Sequence, residues 1–157
     1  MAAARNSQRQ DRAATNRKAL HDYFVVSRIE AGVELAGTEV KSIRAGTVNL
    51  TGGYALVEGG RVVLYDVHIA PYVCGNRFNH DPTRPRRLLL HRREIHRLTG
   101  QMAQKGHALI PLKMYFRGRW AKVELGLCKG KQDADRREAL RRKDADREAR
   151  KAMARAR

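Results

Sequence analysis

The chain has 157 residues, 42% of them hydrophobic, which is enough for one core with flexible ends and too little for a second domain. Its 33 Lys and Arg against 16 Asp and Glu leave a formal net charge of +17, far more than solubility requires, so the expected partner is a polyanion. No segment approaches the ~20 apolar residues of a membrane-spanning helix, the two cysteines lack Cys-x-x-Cys spacing, and the histidines are scattered, His91 and His96 falling at i and i+5; membrane, disulfide, metal and cofactor readings are therefore set aside.

In chain order, residues 1–19 are rich in Ala, Arg, Asn and Gln and hold no large apolar residue between Met1 and Leu20. Without the apolar face of a presequence, they read as a disordered basic arm on a cytoplasmic protein. From Tyr23 to Leu35, β-branched and aromatic residues in partial alternation predict a strand pair or one bent strand. A short helix follows from Thr38, its expected cap, to Gly46, its terminator, with Val40 and Ile43 three apart. Tyr54 to Val57 and Arg61 to Ile69 flank Glu58-Gly59-Gly60 and predict a hairpin.

The segment from Asn76 to Leu90 places turn residues, an aromatic ring and Arg84, Arg86 and Arg87 ahead of the apolar triplet Leu88-Leu89-Leu90. Proline and asparagine hold such a backbone in a defined path, so the arginines are expected to meet phosphate from an ordered loop. Leu88, Leu89, Ile95 and Leu98 then recur near helical spacing, with Gly100 predicted to break the helix that continues through Met102 to Lys105. Ala108 to Phe116 and Trp120 to Cys128 form a second hairpin around Arg117-Gly118-Arg119, with Pro111 at an edge or bulge. Short glycine-linked strands with inserted helices predict a mainly β chain, an OB-like antiparallel barrel over residues 20–130.

From Lys129 onward there are 12 Lys or Arg and 6 Asp or Glu, with only Leu140 and Met153 as sizeable apolar groups. This tail, residues 131–157, cannot build a core, yet Asp133/Arg137, Glu138/Arg142 and Asp146/Arg150 are favourable i, i+4 pairs. It is expected to be disordered when free and helical against a polyanion, spanning about 40 Å as a helix.

Gly37 to Gly46, Asn76 to Leu90, Ile110 to Phe116 and Lys129-Gly130-Lys131, read together, closely resemble the small protein B family, the bacterial partners of transfer-messenger RNA. The resemblance runs from about Asn16 to about Glu148 in unbroken order. It implies a monomeric, non-enzymatic adaptor that binds the tRNA-like domain of that RNA and delivers it to stalled 70S ribosomes, for peptide tagging by trans-translation. It also implies an RNA-facing surface including Tyr23, Glu30, Leu89 and Lys122, to which the loop residues Arg84, Arg86 and Arg87 are a reasonable addition. Tyr23 could stack a base or ribose, worth about 1 to 3 kcal/mol, or simply pack in a strand. Glu30 could accept hydrogen bonds from base amino groups or 2′-hydroxyls, or pair with a neighbouring arginine. From the residues alone Leu89 reads as core, and Lys122 as either a phosphate contact or a solvated lysine.

By the same resemblance, the tail enters the empty message channel beside the decoding centre and becomes helical on rRNA, with Lys129, Gly130, Lys131, Asp135, Arg136 and Arg137 matching the hinge and basic motif at its start. Ala134 stands where the family usually carries a ring, so stacking there is unavailable. Two other readings compete. A generic single-strand binder would want more exposed aromatics than a 6% content supplies. A nuclease would draw on His21 with Asp22 or His80 with Asp81, but adjacent strand residues face opposite ways and no carboxylate cluster exists for magnesium.

Overall fold

Alternation along one long strand, β2 (Tyr23–Val33), divides the inside of the molecule from the outside beyond the shift at Val25–Ser27: Ile29, Ala31 and Val33 turn inward, while Arg28 and Glu30 turn outward. The structure, a computed structural model, describes residues 12–75 and 79–155; Asn76, Arg77 and Phe78 of the arginine segment lie outside the described residues, as do the side chains at 12, 13, 133, 134 and 136. The other strands are β1 (Arg12–Thr15), β3 (Val48–Asn49), β4 (Tyr54–Glu58), β5 (Arg61–Tyr65), β6 (His68–Ile69), β7 (Arg86–Leu89), β8 (His107–Arg117) and β9 (Trp120–Gly130). The helices are α1 (Arg17–Asp22), α2 (Gly37–Arg44), α3 (Arg92–Met102) and α4 (Asp133–Arg155).

All pairings are antiparallel. The sheet runs β1-β8-β4-β5-β7-β2-β9, and pairing of β8 with β9 closes the strands from β8 to β9 into a ring. Closure removes the exposed edges that an open sheet would present. Inside it, Val62, Leu64, Leu88, Leu109, Val123 and Leu125 are at most 2% exposed, and α2 and α3 add Ile43 and Leu98. The mainly antiparallel, nearly closed barrel expected from the sequence is the architecture found, with a helix at its C-terminus.

Several local expectations hold. Gly59 and Gly60 turn the β4–β5 hairpin at φ of +54° and +72°, angles that side chains disfavour. Pro111 sits at a register shift between Pro111 and Lys113, and β2 is one bent strand with a shift between Val25 and Ser27. Others need correction. Leu88 and Leu89 belong to β7, where Leu88 is buried and Leu89 exposed in strand alternation; α3 starts only at Arg92 and passes through Gly100 unbroken, because that glycine lies on the solvent side. The N-cap of α2 is Ala36 rather than Thr38, since Glu39 Oε2 reaches back to accept the Ala36 N–H at 2.9 Å.

The arm expected over residues 1–19 is structured from Arg12 onward. β1 pairs with β8, and Asn16, 3% exposed, caps α1 by accepting the Ala19 N–H at 3.0 Å. Its amide donates to Leu50 O at 3.1 Å and Pro111 O at 3.0 Å, and its own N–H donates to Leu112 O at 2.7 Å. A polar side chain that ties three segments together leaves no mark in an apolar pattern. Asn16→Ala is expected to cost about 2 to 3 kcal/mol, because two buried carbonyls lose their donor and a helix loses its cap. Urea unfolding checks this, and a midpoint close to that of the parent chain would contradict it.

Candidate nucleic-acid interface

Strand register brings three of the expected RNA-facing residues onto one outer surface. Gly32 of β2 lies opposite both Leu89 of β7 and Lys122 of β9, and Lys122 lies opposite Tyr115 of β8. Cross-strand partners share a face, so Leu89, Gly32, Lys122 and Tyr115 form one row. The adjacent row holds Glu30, Glu124 and Lys113. Leu89 is 49% exposed and lies over Gly32, where an added Cβ would come within 3.3 Å of the Leu89 Cβ. The glycine therefore gives an outward leucine its seat. Arg87, two residues before Leu89, is exposed with the same strand parity.

Glu30 is the electrostatic centre of this face. It accepts a short hydrogen bond from the Tyr115 hydroxyl, pairs with Arg117 Nη1 at 3.1 Å, and has Lys122 Nζ at 4.0 Å. Burial, and then the Glu30 hydrogen bond, push the Tyr115 phenol well above its ordinary value, so it remains a donor. Arg28 Nη1 pairs with Glu124 Oε1 at 2.8 Å on the same strands. Two carboxylates are thus held in place by cations that remain partly exposed. Such a surface offers fixed acceptors to base amino or 2′-hydroxyl groups and positive charge to phosphates. Tyr115 and Arg28 are absent from the sequence reading. Strand parity with Lys113 and Glu30 was the available signal.

Three expected contacts lie elsewhere. Tyr23, opposite Gly130, lies on the same outer side of the sheet as Glu30 once the shift between Val25 and Ser27 is counted, but at the far end of β2, where it packs, half-buried, with a small cluster of Ala19, Ile110, Leu112 and Cys128. Arg86, expected to face phosphate, is 1% exposed: it donates to Glu39 Oε1 at 2.9 Å, Val67 O at 2.7 Å and Pro82 O at 3.0 Å. Arg84 is also turned inward, donating Nε to Glu39 Oε1 at 2.8 Å and Nη2 to Glu39 Oε2 at 2.5 Å, with 31% of its side chain left exposed. Burial works to raise the Glu39 carboxyl, but the bonds from Arg84, Ala36 and Arg86 outweigh it and hold the carboxyl below its ordinary value. Burial lowers the Arg86 guanidinium despite the bond to Glu39. The reason is geometric: β7 alternates, so Arg86 shares the inner face with Leu88 while Arg87 shares the outer face with Leu89.

At the base of the tail, Gly130 and Lys129 are exposed and extend β9 opposite Tyr23 and Phe24. The Lys131 N–H donates to Asp22 O at 3.1 Å, and Lys131 Nζ lies 5.0 Å from the Phe24 ring centroid. Asp135 accepts the Gln132 N–H at 3.3 Å, which ties down the start of α4; Arg137 is exposed, and the side chains of Ala134 and Arg136 lie outside the described residues. Along α4, Glu138 pairs with Arg142 at 2.6 Å. Among the described residues, no helix is long and apolar enough to cross a membrane.

Residues 13–155 match the SmpB protein family. The SsrA-binding protein of Carboxydothermus hydrogenoformans is 57% identical over 140 residues, covering 89% of this chain and 94% of that protein. That of Chloroflexus aurantiacus is 58% identical over 145 residues, covering 92% and 91%, and that of Shouchella clausii is 54% identical over 140 residues, covering 89% and 90%. Among solved structures, a chain from "tmRNA-SmpB: a journey to the center of the bacterial ribosome" is similar with a TM-score of 0.67 at 50% identity, covering 82% of this chain and 94% of that one.

Proposed function

This chain belongs to the SmpB protein family, and from that membership we infer an RNA-binding adaptor that binds transfer-messenger RNA and delivers it to stalled ribosomes for trans-translation. The observation that carries the reading at the level of the surface is the outer row of Leu89, Gly32 and Lys122 beside the braced carboxylate of Glu30. It combines an apolar contact, a phosphate-seeking cation and a fixed acceptor, the three elements that recognition of a folded RNA by shape uses. The tRNA-like domain is the part of the RNA bound there. The barrel acts as the docking module without catalysing a reaction, a monomer working on ribosomes in the cytoplasm. Residues beyond Lys131 form a separate module that enters the vacant message channel, ordering as a helix on rRNA. Tyr23, facing the small cluster, contributes through packing more than through stacking.

Affinity for the tRNA-like domain against an unstructured RNA of equal length, titrated from low to physiological salt, tests the reading, since phosphate contacts alone fade steeply with salt. A preference that survives at physiological salt is expected. Leu89→Ala and Lys122→Gln are each expected to reduce it about tenfold with little change in thermal stability, because both side chains lie on the outer face and neither change adds a charge beside Glu30. Equal affinities that collapse together, or wild-type binding in both variants, would refute this face as the recognition surface. A generic single-strand binder would instead hold both RNAs alike.

A further inference from the structure

Where the β4–β5 turn approaches α3, an open cleft of about 680 Å³ gathers Gly59, Gly60, Arg61, Arg87, Arg92 and His96 along its wall. Arg92, His96 and Thr99 recur at i, i+4 and i+7, so α3 presents one continuous polar face to it. Arg61, Arg87, Arg92 and His96 are all exposed, and among the described residues none has a carboxylate within ion-pairing distance. This sets them apart from Arg28, Arg84, Arg86 and Arg117, whose charges are already committed to Glu124, Glu39 or Glu30. The nearest acid along β4, Glu58, accepts the Tyr65 hydroxyl at 2.8 Å. The cleft wall contains no acidic residue. Three unpaired arginines converging on one concavity repel one another, and an anion that enters relieves the repulsion.

We propose that this cleft is a phosphodiester-binding site, engaging the backbone of transfer-messenger RNA and extending the outer row around the barrel. Arg87 belongs to both surfaces. It lines the cleft and precedes Leu89 by two residues on β7, a separation of about 7 Å, so one backbone can lie across both. The glycine turn leaves the rim free of side chains, which lets a ribose-phosphate chain approach the arginines. The RNA's identity rests on the reading given above; the chemistry of the cleft does not.

The test compares the full-length chain, Arg61→Gln/Arg92→Gln, and a control of equal charge loss, Lys18→Gln/Lys105→Gln, whose two lysines are exposed and lie outside the cleft. Each is titrated over a salt series with the isolated tRNA-like domain and, in parallel, with vacant 70S ribosomes. For the tRNA-like domain, the cleft variant is expected to bind about five- to tenfold more weakly than the control, with a log–log salt slope shallower than the control's by about 1.5 to 2, as for two lost phosphate contacts. Cleft variant and control indistinguishable on both partners would overturn the proposal. A deficit confined to ribosomes would overturn the assignment to transfer-messenger RNA and move the cleft to ribosomal RNA. Should the parent chain show no preference for the tRNA-like domain while the cleft variant still loses slope, the adaptor reading fails and the phosphodiester site stands.

Discussion

A chain ending at Lys131 is expected to bind the tRNA-like domain within about twofold of the full-length protein at physiological salt, while peptide tagging on stalled ribosomes falls to background. The barrel half of this expectation comes from packing. α4 supplies no member of either buried cluster, and its sizeable apolar side chains, Leu140 and Met153, are 46% and 72% exposed. Among the described residues, the last with a hydrogen bond to the barrel is Lys131, to Asp22 and Leu20, and it is retained. Residues 132–157 carry ten Lys or Arg and six Asp or Glu, so their removal takes away only four net charges. Diffuse attraction of that size is screened near physiological ionic strength, although it would show at low salt. The tagging half comes from reach: the 23 residues of α4 extend about 35 Å along a path that no strand provides. Filter binding and a purified translation reaction on a message without a stop codon measure the two halves separately. Loss of both together would show that barrel and tail do not divide the work.

How much of this was visible in the sequence depended on the length scale of each feature. The hairpins were legible because their turns are local: Gly59-Gly60 and Gly118 adopt positive φ, which the residues announce without any tertiary context. The helical tail was legible from its i, i+4 pairs, of which Glu138 with Arg142 forms in the structure. Arg86 was misread because an arginine beside two others reads as solvent-facing. Only strand parity with Leu88, combined with a glutamate 47 residues away, reveals it as buried. The start of the fold was missed for a related reason, since Asn16 acts through contacts 34 and 95 residues distant. Leu89 reversed the usual inference. An apolar triplet favours the core, and its middle member sits outside because two-residue alternation sends Leu88 inward. Hydrophobic content identified the strand region, but pairing register decided which face each residue serves.

Glu39→Ala is expected to destabilise the protein by about 3 to 5 kcal/mol, a large share of the ~5 to 15 kcal/mol available to a domain of this size. The cost comes less from losing attraction than from stranding charge. Arg86, 1% exposed, would keep its bonds to the Val67 and Pro82 carbonyls but lose the carboxylate it is bonded to, leaving only the more distant charge of Asp81, while the Arg84 side chain would lose both of its bonds. Replacing both partners separates these contributions. Glu39→Leu with Arg86→Met removes the buried charges together and is expected to recover much of the stability. It would leave the 81–87 segment without its tie to α2, so β7 would present Arg87 and Leu89 less firmly and RNA affinity would stay reduced. The pH dependence gives an independent check. The Glu39 carboxyl is held below its ordinary value of 4.5 in the folded chain, so the unfolded chain takes up its proton first as pH falls. The stability it confers is complete above about pH 4.5 and disappears as pH drops through the lower folded-state value. Glu39→Gln, which cannot titrate, should start less stable and lose less over that window. If parent and Gln variant lose stability in parallel there, the ion cluster does not carry the stability assigned to it.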